Sequence, residues 1–214
     1  MAAPSANRFG HLSPTTVEHV LEDLDGRIDA VVDAGPTLRG VESTVLDPAT
    51  SPMTIYRPGA VTAEEIAEIA GPAALFRSGE VLRETPREKQ IDALPSPGVG
   101  MRHYAPRARL VLVEGRAEEL GARLVAAADG ERGERLGVML PEGIAAREEI
   151  GAAQIYSWGK WDAPETLAHG LYAGLRALDA AGCTVILCPL PPADGIGAAI
   201  RDRLGKAGTR DVGT

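Results

Sequence analysis

Aromatic side chains are scarce in this 214-residue chain, at 4% of residues, so any core has to be packed mainly from Ala, Leu, Val and Ile. No run of eighteen apolar residues occurs, which leaves no candidate for a membrane-spanning helix. The N-terminus has no basic stretch followed by an apolar one, so no secretory leader is expected and a cytoplasmic location is. Positive charge is also short: only Lys89, Lys160 and Lys206 are lysines, and the net charge is −8. That balance argues against a broad surface for a phosphate backbone, so direct RNA binding is not expected, although a local pocket for one nucleotide remains open. Of two cysteines, Cys183 and Cys188 flank the apolar run 184–187. Alternation puts residues five apart on opposite faces of a strand, which suits neither a disulfide nor a shared metal, so both are read as buried, inert thiols.

The remaining composition, 44% hydrophobic and 24% charged, is that of a globular α/β chain. Residues 1–71 read as a loop, a helix, three short strands and a second helix. Ser13-Pro14 is the expected helix start, with Val17, Val20, Leu21 and Leu24 on one face and Gly26 as the stop. Strands are expected at 28–33, 41–46 and 53–57. Thr62-Ala63-Glu64-Glu65 forms a capping box ahead of a helix whose face carries Ile66, Ile69 and Ala70. So few residues do not close a core of their own, and apolar surface on 28–32 and 41–46 is expected to stay exposed along an open sheet edge.

Residues 72–108, broken by five prolines, read as a linker that ends in a Gly-, Arg-, His- and Tyr-bearing segment suited to a lid. From 109 to 214 strands alternate with helices: strands at 110–113, 136–140, 153–158 and 183–188, helices at 117–128, 164–181 and 196–206. This is the pattern of a parallel, Rossmann-like sheet. The segment Gly195-Ile196-Gly197-Ala198-Ala199-Ile200 lacks the third Gly and the downstream strand and acid of a dinucleotide loop, so no dinucleotide site is expected there. His11, His19 and His169 have no paired ligand spacing, and no metal site is assigned.

Four segments, taken in order, resemble one family. They are Ala2-Ala3-Pro4-Ser5-Ala6-Asn7, Val41-Glu42-Ser43-Thr44-Val45, Tyr56-Arg57-Pro58-Gly59, and Ser96-Pro97-Gly98 with Arg102-His103-Tyr104-Ala105-Pro106. They look like the Sua5 type of threonylcarbamoyl-AMP synthase, whose catalytic domain is YrdC-like. The segment from Leu175 to Leu204 is similar to that family's additional Sua5 domain. The resemblance implies a YrdC-like twisted mixed-sheet domain represented by its C-terminal part (1–71), a linker or lid (72–108) and a Rossmann-like Sua5 domain (109–214).

The implied reaction joins ATP, L-threonine and bicarbonate into threonylcarbamoyl-AMP and pyrophosphate. Mg²⁺ is expected to accompany ATP, and no tightly bound cofactor is expected. The product passes to the machinery that installs t6A at position 37 of tRNA. By the resemblance, Ser5, Asn7, Ser13, Arg57 and Tyr104 are ATP contacts, and Ala3 and Ser43 are threonine contacts; no single catalytic residue is assigned. From the residues alone, Ser5 and Asn7 equally fit a turn, Ser13 an N-cap, Ser43 a sheet rim, Arg57 a solvated strand end and Tyr104 linker packing.

Catalytic domains of this type carry a Lys-x-Arg motif upstream of the Ser-x-Asn loop, and none of the three lysines lies in one. The expectation is therefore that these 214 residues hold the back part of the catalytic domain and do not make threonylcarbamoyl-AMP alone. The alternative is a non-catalytic nucleotide-binding or interaction module that complements a separate N-terminal half.

Overall fold

A computed structural model describes residues 4–76, 105–146 and 149–210. The described residues form two sheets, and the smaller one leans on the helices of the larger.

The first segment contains α1 (Val17–Leu24), β1 (Val45–Asp47), β2 (Met53–Arg57), α2 (Ala63–Ala70) and β3 (Ala73–Leu75). The order is β1-β2-β3, with β1 antiparallel and β3 parallel to β2. The expected capping box opens α2: the Thr62 hydroxyl accepts from Glu65 N–H, and the Glu65 carboxylate accepts from Thr62 N–H.

Several expectations for this part are corrected. Residues 28–33 form no strand, because no ladder partner lies beside them among the described residues, and Val32 is 91% exposed. The strand expected over 41–46 is confined to Val45–Asp47, because Val41 and Glu42 turn to helices of the larger sheet instead of pairing. Val41 is accordingly buried rather than exposed. Helix α1 starts at Val17 with Thr16 at its N-cap, not at Ser13-Pro14, since the Ser13 hydroxyl is engaged by Glu42. Ile69 sits on the outer side of α2 and is 90% exposed. The stretch read as linker begins with a strand, β3, which completes the small sheet.

The second segment contains β4 (Arg109–Val113), α3 (Ala117–Gly130), β5 (Leu136–Glu142), β6 (Gln154–Lys160), α4 (Pro164–Ala180), β7 (Val185–Pro189), α5 (Gly197–Ala207) and β8 (Thr209–Arg210). All pairings in its sheet, order β6-β5-β7-β4-β8, are parallel. The alternation along β4 shows why this sheet is buried on both sides. Leu110 and Leu112 join the core beneath α4 and α5, while Val111 and Val113 join Leu120 and Leu124 of α3 on the other face. Cys188 is fully buried, Cys183 nearly so, and both are free thiols. Burial pushes both above the ordinary thiol range, which keeps them protonated and unreactive.

The first segment has little core of its own. Leu12 and Val41 are buried in the same cluster as Leu167, Leu171 and Leu175 of α4. Gly40 makes the approach possible: a Cβ there would lie 2.2 Å from the Ala168 carbonyl oxygen. The N-terminal portion thus completes its packing against α4, as expected of a stretch too short to close alone.

Candidate functional site

Val41 and Gly40 press onto α4, and the next residue, Glu42, reaches the polar centre of the junction. Its Oε1 accepts from Ser13 Oγ at 2.5 Å and from the Tyr172 hydroxyl at 2.9 Å, and its Oε2 accepts from Arg203 Nε at 2.8 Å. Arg203 also donates to Asp202 Oδ2 and to the carbonyl of Pro58. Its side chain is 1% exposed and that of Glu42 is 14% exposed. Burial opposes both charges, yet each holds the other. The Arg203 guanidinium and the Ser13 hydroxyl keep Glu42 below the usual carboxylate range, and Glu42, Tyr172 and Asp202 hold Arg203 above its own.

Above this pair opens a cleft of about 360 Å³. Pro4, Ser5, Ser13, Thr15, Gly35, Glu42 and Tyr172 contribute polar or backbone groups to its wall, and Val17, Val20, Val31 and Val32 an apolar side. Ser5 Oγ donates to Asn7 Oδ1 at 2.5 Å, and Asn7 Nδ2 donates to the carbonyls of Arg8 and His11. Asn7 thereby ties the Ser5 turn to the entry of α1, and Ala6 between them has φ +56°, a left-handed kink. Thr15 N–H donates to His19 Nδ1, so that nitrogen is an acceptor; burial, with Arg176 nearby, lowers the His19 pKa.

Ser43 and Arg57 form a second group. Arg57 Nε and Nη2 both donate to the Ser43 carbonyl, at 3.1 and 2.8 Å, and Nη2 also reaches Ser43 Oγ at 3.3 Å. The guanidinium is thus anchored across the β1–β2 pair beside the Pro58-Gly59 turn. Gly59 is required there, because a Cβ would lie 2.4 Å from the Glu42 carbonyl. Neither Ser43 nor Arg57 is among the residues lining the cleft, though Ser43 follows Glu42 directly. Ser5, Asn7 and Ser13 are therefore gathered on the α1 side, and Ser43 and Arg57 on the sheet side. Ala3, His103 and Tyr104 lie outside the described residues.

The Glu42–Arg203 pair was not assigned from the sequence. Its signal was there in α5, where Ile196, Ala199, Ile200, Arg203 and Leu204 mark one apolar stripe with a guanidinium set in it. A charge at a core position implies a buried partner.

Asp23 makes a second buried carboxylate. It accepts from Arg176 Nη2 at 3.0 Å and lies 2.8 Å from His11 Nδ1. Burial opposes its charge, but the bonds to His11 and Arg176 hold its pKa low. Both Asp23 and Glu42 therefore ionise more readily folded than unfolded, so their contribution is complete above the unfolded carboxylate values near pH ~4 and is lost as pH falls through the lower native values. Urea midpoints are expected to fall steeply below about pH 4, and Glu42→Gln, although less stable at neutral pH, is expected to show a shallower acid decline. An equal decline in the variant would discount Glu42.

A protein-family model described as threonylcarbamoyl-AMP synthase, C-terminal domain, matches residues 61–209. The chain belongs to the Sua5 family. A second family model, described as telomere recombination, matches residues 1–59. The threonylcarbamoyl-AMP synthase of Bacillus subtilis is 41% identical over 97% of this chain and 56% of its own length. That of Pyrococcus abyssi is 34% identical over 97% of this chain and 57% of its own. The crystal structure of P. abyssi Sua5 complexed with L-threonine superposes with a TM-score of 0.81 at 35% identity, over 96% of this chain and 57% of that one. A P. abyssi Sua5 variant with an adjacent histidine and tyrosine both changed to alanine matches with a TM-score of 0.76 at 30% identity, over all of this chain and 60% of that one. This Sua5-family chain thus spans somewhat more than half the length of these relatives. Among its described residues no helix is long and apolar enough to cross a membrane.

Proposed function

We propose that the chain works in threonylcarbamoyl-AMP synthesis: ATP, L-threonine and bicarbonate give threonylcarbamoyl-AMP and pyrophosphate, and the product goes to the tRNA t6A machinery. What supports the reading above all is the likeness to the Sua5 solved with L-threonine, which runs through both segments of this chain at a TM-score of 0.81.

The difficulty of the reaction is charge. A threonine carbamate has to approach the α-phosphate of ATP while pyrophosphate leaves, so fixed donors and cations must face the phosphates. In this reading Ser5 turns its hydroxyl from Asn7 to a phosphate oxygen, Asn7 holds the turn, and Ser13 borders the nucleotide. Arg57 is already aimed: Nε and Nη2 are held on Ser43, which leaves the Nη1 edge of the fork for a phosphate oxygen. Ser43 Oγ beside it meets threonine, as does the backbone of Ala3. Tyr104 closes the nucleotide from the segment 72–108; His103-Tyr104 is the one adjacent histidine–tyrosine pair in the sequence. In domain terms, 1–71 and 72–108 carry these contacts and 109–214 supports them.

The residues present do not build a resident metal site. Both Glu42 oxygens are already bonded to Ser13, Tyr172 and Arg203, and among the described residues no three His, Cys, Asp or Glu side chains gather as metal ligands. Mg²⁺ in this reading arrives on the ATP phosphates as part of the substrate.

The test measures ATP-, threonine- and bicarbonate-dependent pyrophosphate release by the chain alone, and by the chain mixed with the portion of the B. subtilis synthase that it does not match. Release is expected from the mixture and not from the chain alone, and Arg57→Ala should lower it about 10- to 100-fold, the worth of one charged hydrogen bond. No release in either setting, or release indifferent to Arg57→Ala and Ser5→Ala, overturns the reading.

A further inference from the structure

Between the Ser5–Asn7 turn, α1 and α4 lies a second, larger hollow of about 650 Å³. Its walls hold a bonded chain of groups that the proposed chemistry does not use. Arg176, in the last turns of α4, donates from Nη1 to Glu22 at 2.9 Å, and from Nη2 to Asp23 at 3.0 Å and to the carbonyl of Leu12 at 2.5 Å. Asp23 in turn holds His11 Nδ1 at 2.8 Å, and the carbonyl of His11 receives Asn7 Nδ2 at 2.9 Å. Asn7 receives Ser5. One guanidinium of the larger sheet is thus linked through at most three side chains to the candidate phosphate donors.

The same helix face also fixes the returning chain. Asp179, three residues on, accepts the backbone N–H groups of Arg107 and Ala108 at 2.8 and 3.0 Å, and Ala105 N–H donates to the Gly10 carbonyl at 3.3 Å. The loop 5–12 is therefore gripped from two sides, by Arg176 through α1 and by the chain entering β4.

We infer that Arg176 is a positioning residue for the nucleotide: through Leu12, Asp23 and His11 it sets where Ser5 and Asn7 present their donors. The C-terminal half then takes part in ATP binding without touching ATP. Three features carry this. Arg176 is buried, with its side chain 11% exposed, and its Nε has no partner among the described residues, so the side chain is held there by its Nη bonds and not by a full complement. Those bonds run to the loop and to α1, not within α4. Ser43, the threonine contact, is bonded to Arg57 and, among the described residues, not to this network, so the effect should fall mainly on ATP.

The inference rests on the nucleotide reading of Ser5 and Asn7, and the experiment separates the two. In the setting that shows pyrophosphate release, amide exchange across residues 5–12 is followed with and without ATP, together with KM values for ATP and threonine. In the unsubstituted chain ATP is expected to slow exchange over 5–12. Arg176→Ala should speed exchange there at least about tenfold and raise the KM for ATP about tenfold, leaving the KM for threonine within about twofold, since misplaced positioning groups cost up to about 10² in rate. Arg176→Lys, which keeps one charged contact to Asp23, should recover part of the ATP effect. If Arg176→Ala opens α4 as a whole, the Lys variant decides in the same way. A KM for ATP unmoved in both variants, or both KM values moving together, overturns the positioning role. Absence of ATP protection in the unsubstituted chain sinks the nucleotide reading, and the inference falls with it.

Discussion

Arg203→Met is expected to destabilise the chain by about 3–5 kcal/mol at neutral pH, the usual cost of removing one partner from a buried ion pair. The loss comes less from the pair than from what it leaves behind. Glu42 would remain beside Ser13 and Tyr172 with its cation gone and only 14% of its side chain exposed to water. Its pKa should then rise, because burial is no longer opposed by the guanidinium. The variant is therefore expected to fall furthest behind the parent at neutral pH and to regain part of the gap in acid, which protonates its Glu42 before that of the parent. Pairing it with Glu42→Gln should recover part of the loss, because a neutral amide tolerates that environment better than an orphaned carboxylate. Urea unfolding at pH 7 and at about pH 4, where carboxylates titrate, checks both parts. A change within about 0.5 kcal/mol, the range of ordinary surface substitutions, would mean the pair is structurally idle.

The second large effect is expected at Gly40→Ala. Gly40 has φ +71°, where an L side chain costs about 1–2 kcal/mol. Its Cβ would also lie 2.2 Å from the Ala168 carbonyl oxygen and 2.4 Å from His169 Cα, both backbone atoms of α4 that cannot swing aside. Overpacking of this kind adds about 1–3 kcal/mol. Gly35→Ala is the built-in control: φ is +82° but nothing lies within 4 Å, so only the conformational cost applies. If the two alanine variants unfold at the same urea concentration, the close approach of 40–41 to α4 does not contribute. If Gly40→Ala falls well below Gly35→Ala, the docking of the first segment is the source.

The sequence was readable where one rule dominates. Helices α3, α4 and α5 and strands β4 to β7 lie within a few residues of expectation, because apolar runs and apolar stripes there follow the local period. The capping box at Thr62 and Glu65 was legible for the same reason: its two bonds are local. Residues 28–33 misled because Ile28, Val31 and Val32 have strand-like composition, whereas a strand exists only beside a partner, and none lies there among the described residues. Ser13 misled because its hydroxyl is taken by Glu42, twenty-nine positions away, rather than by a nearby N–H. In the site, the pairing of Ser5 with Asn7 could be anticipated from a two-residue spacing. The anchoring of Arg57 on Ser43 needed the register between β1 and β2, and the Glu42–Arg203 pair needed the docking of two segments 161 residues apart. Long-range polar closure of this kind leaves only a hint in sequence, a charged residue standing on an apolar stripe.

The placement of the two tryptophans has a consequence for optical work. Trp158, fully buried with its indole N–H on the Leu167 carbonyl, and Trp161 both belong to the five-stranded half. The small sheet carries only Tyr56 stacked obliquely on Phe76, with ring centroids 5.2 Å apart. Indole emission excited at long wavelength therefore reports chiefly on the larger sheet, while backbone circular dichroism sees both halves. Should the first segment come loose from α4 before the larger sheet melts, the dichroism curve would move ahead of the emission curve. The gap between the two traces would then read the strength of the junction directly, with no label added.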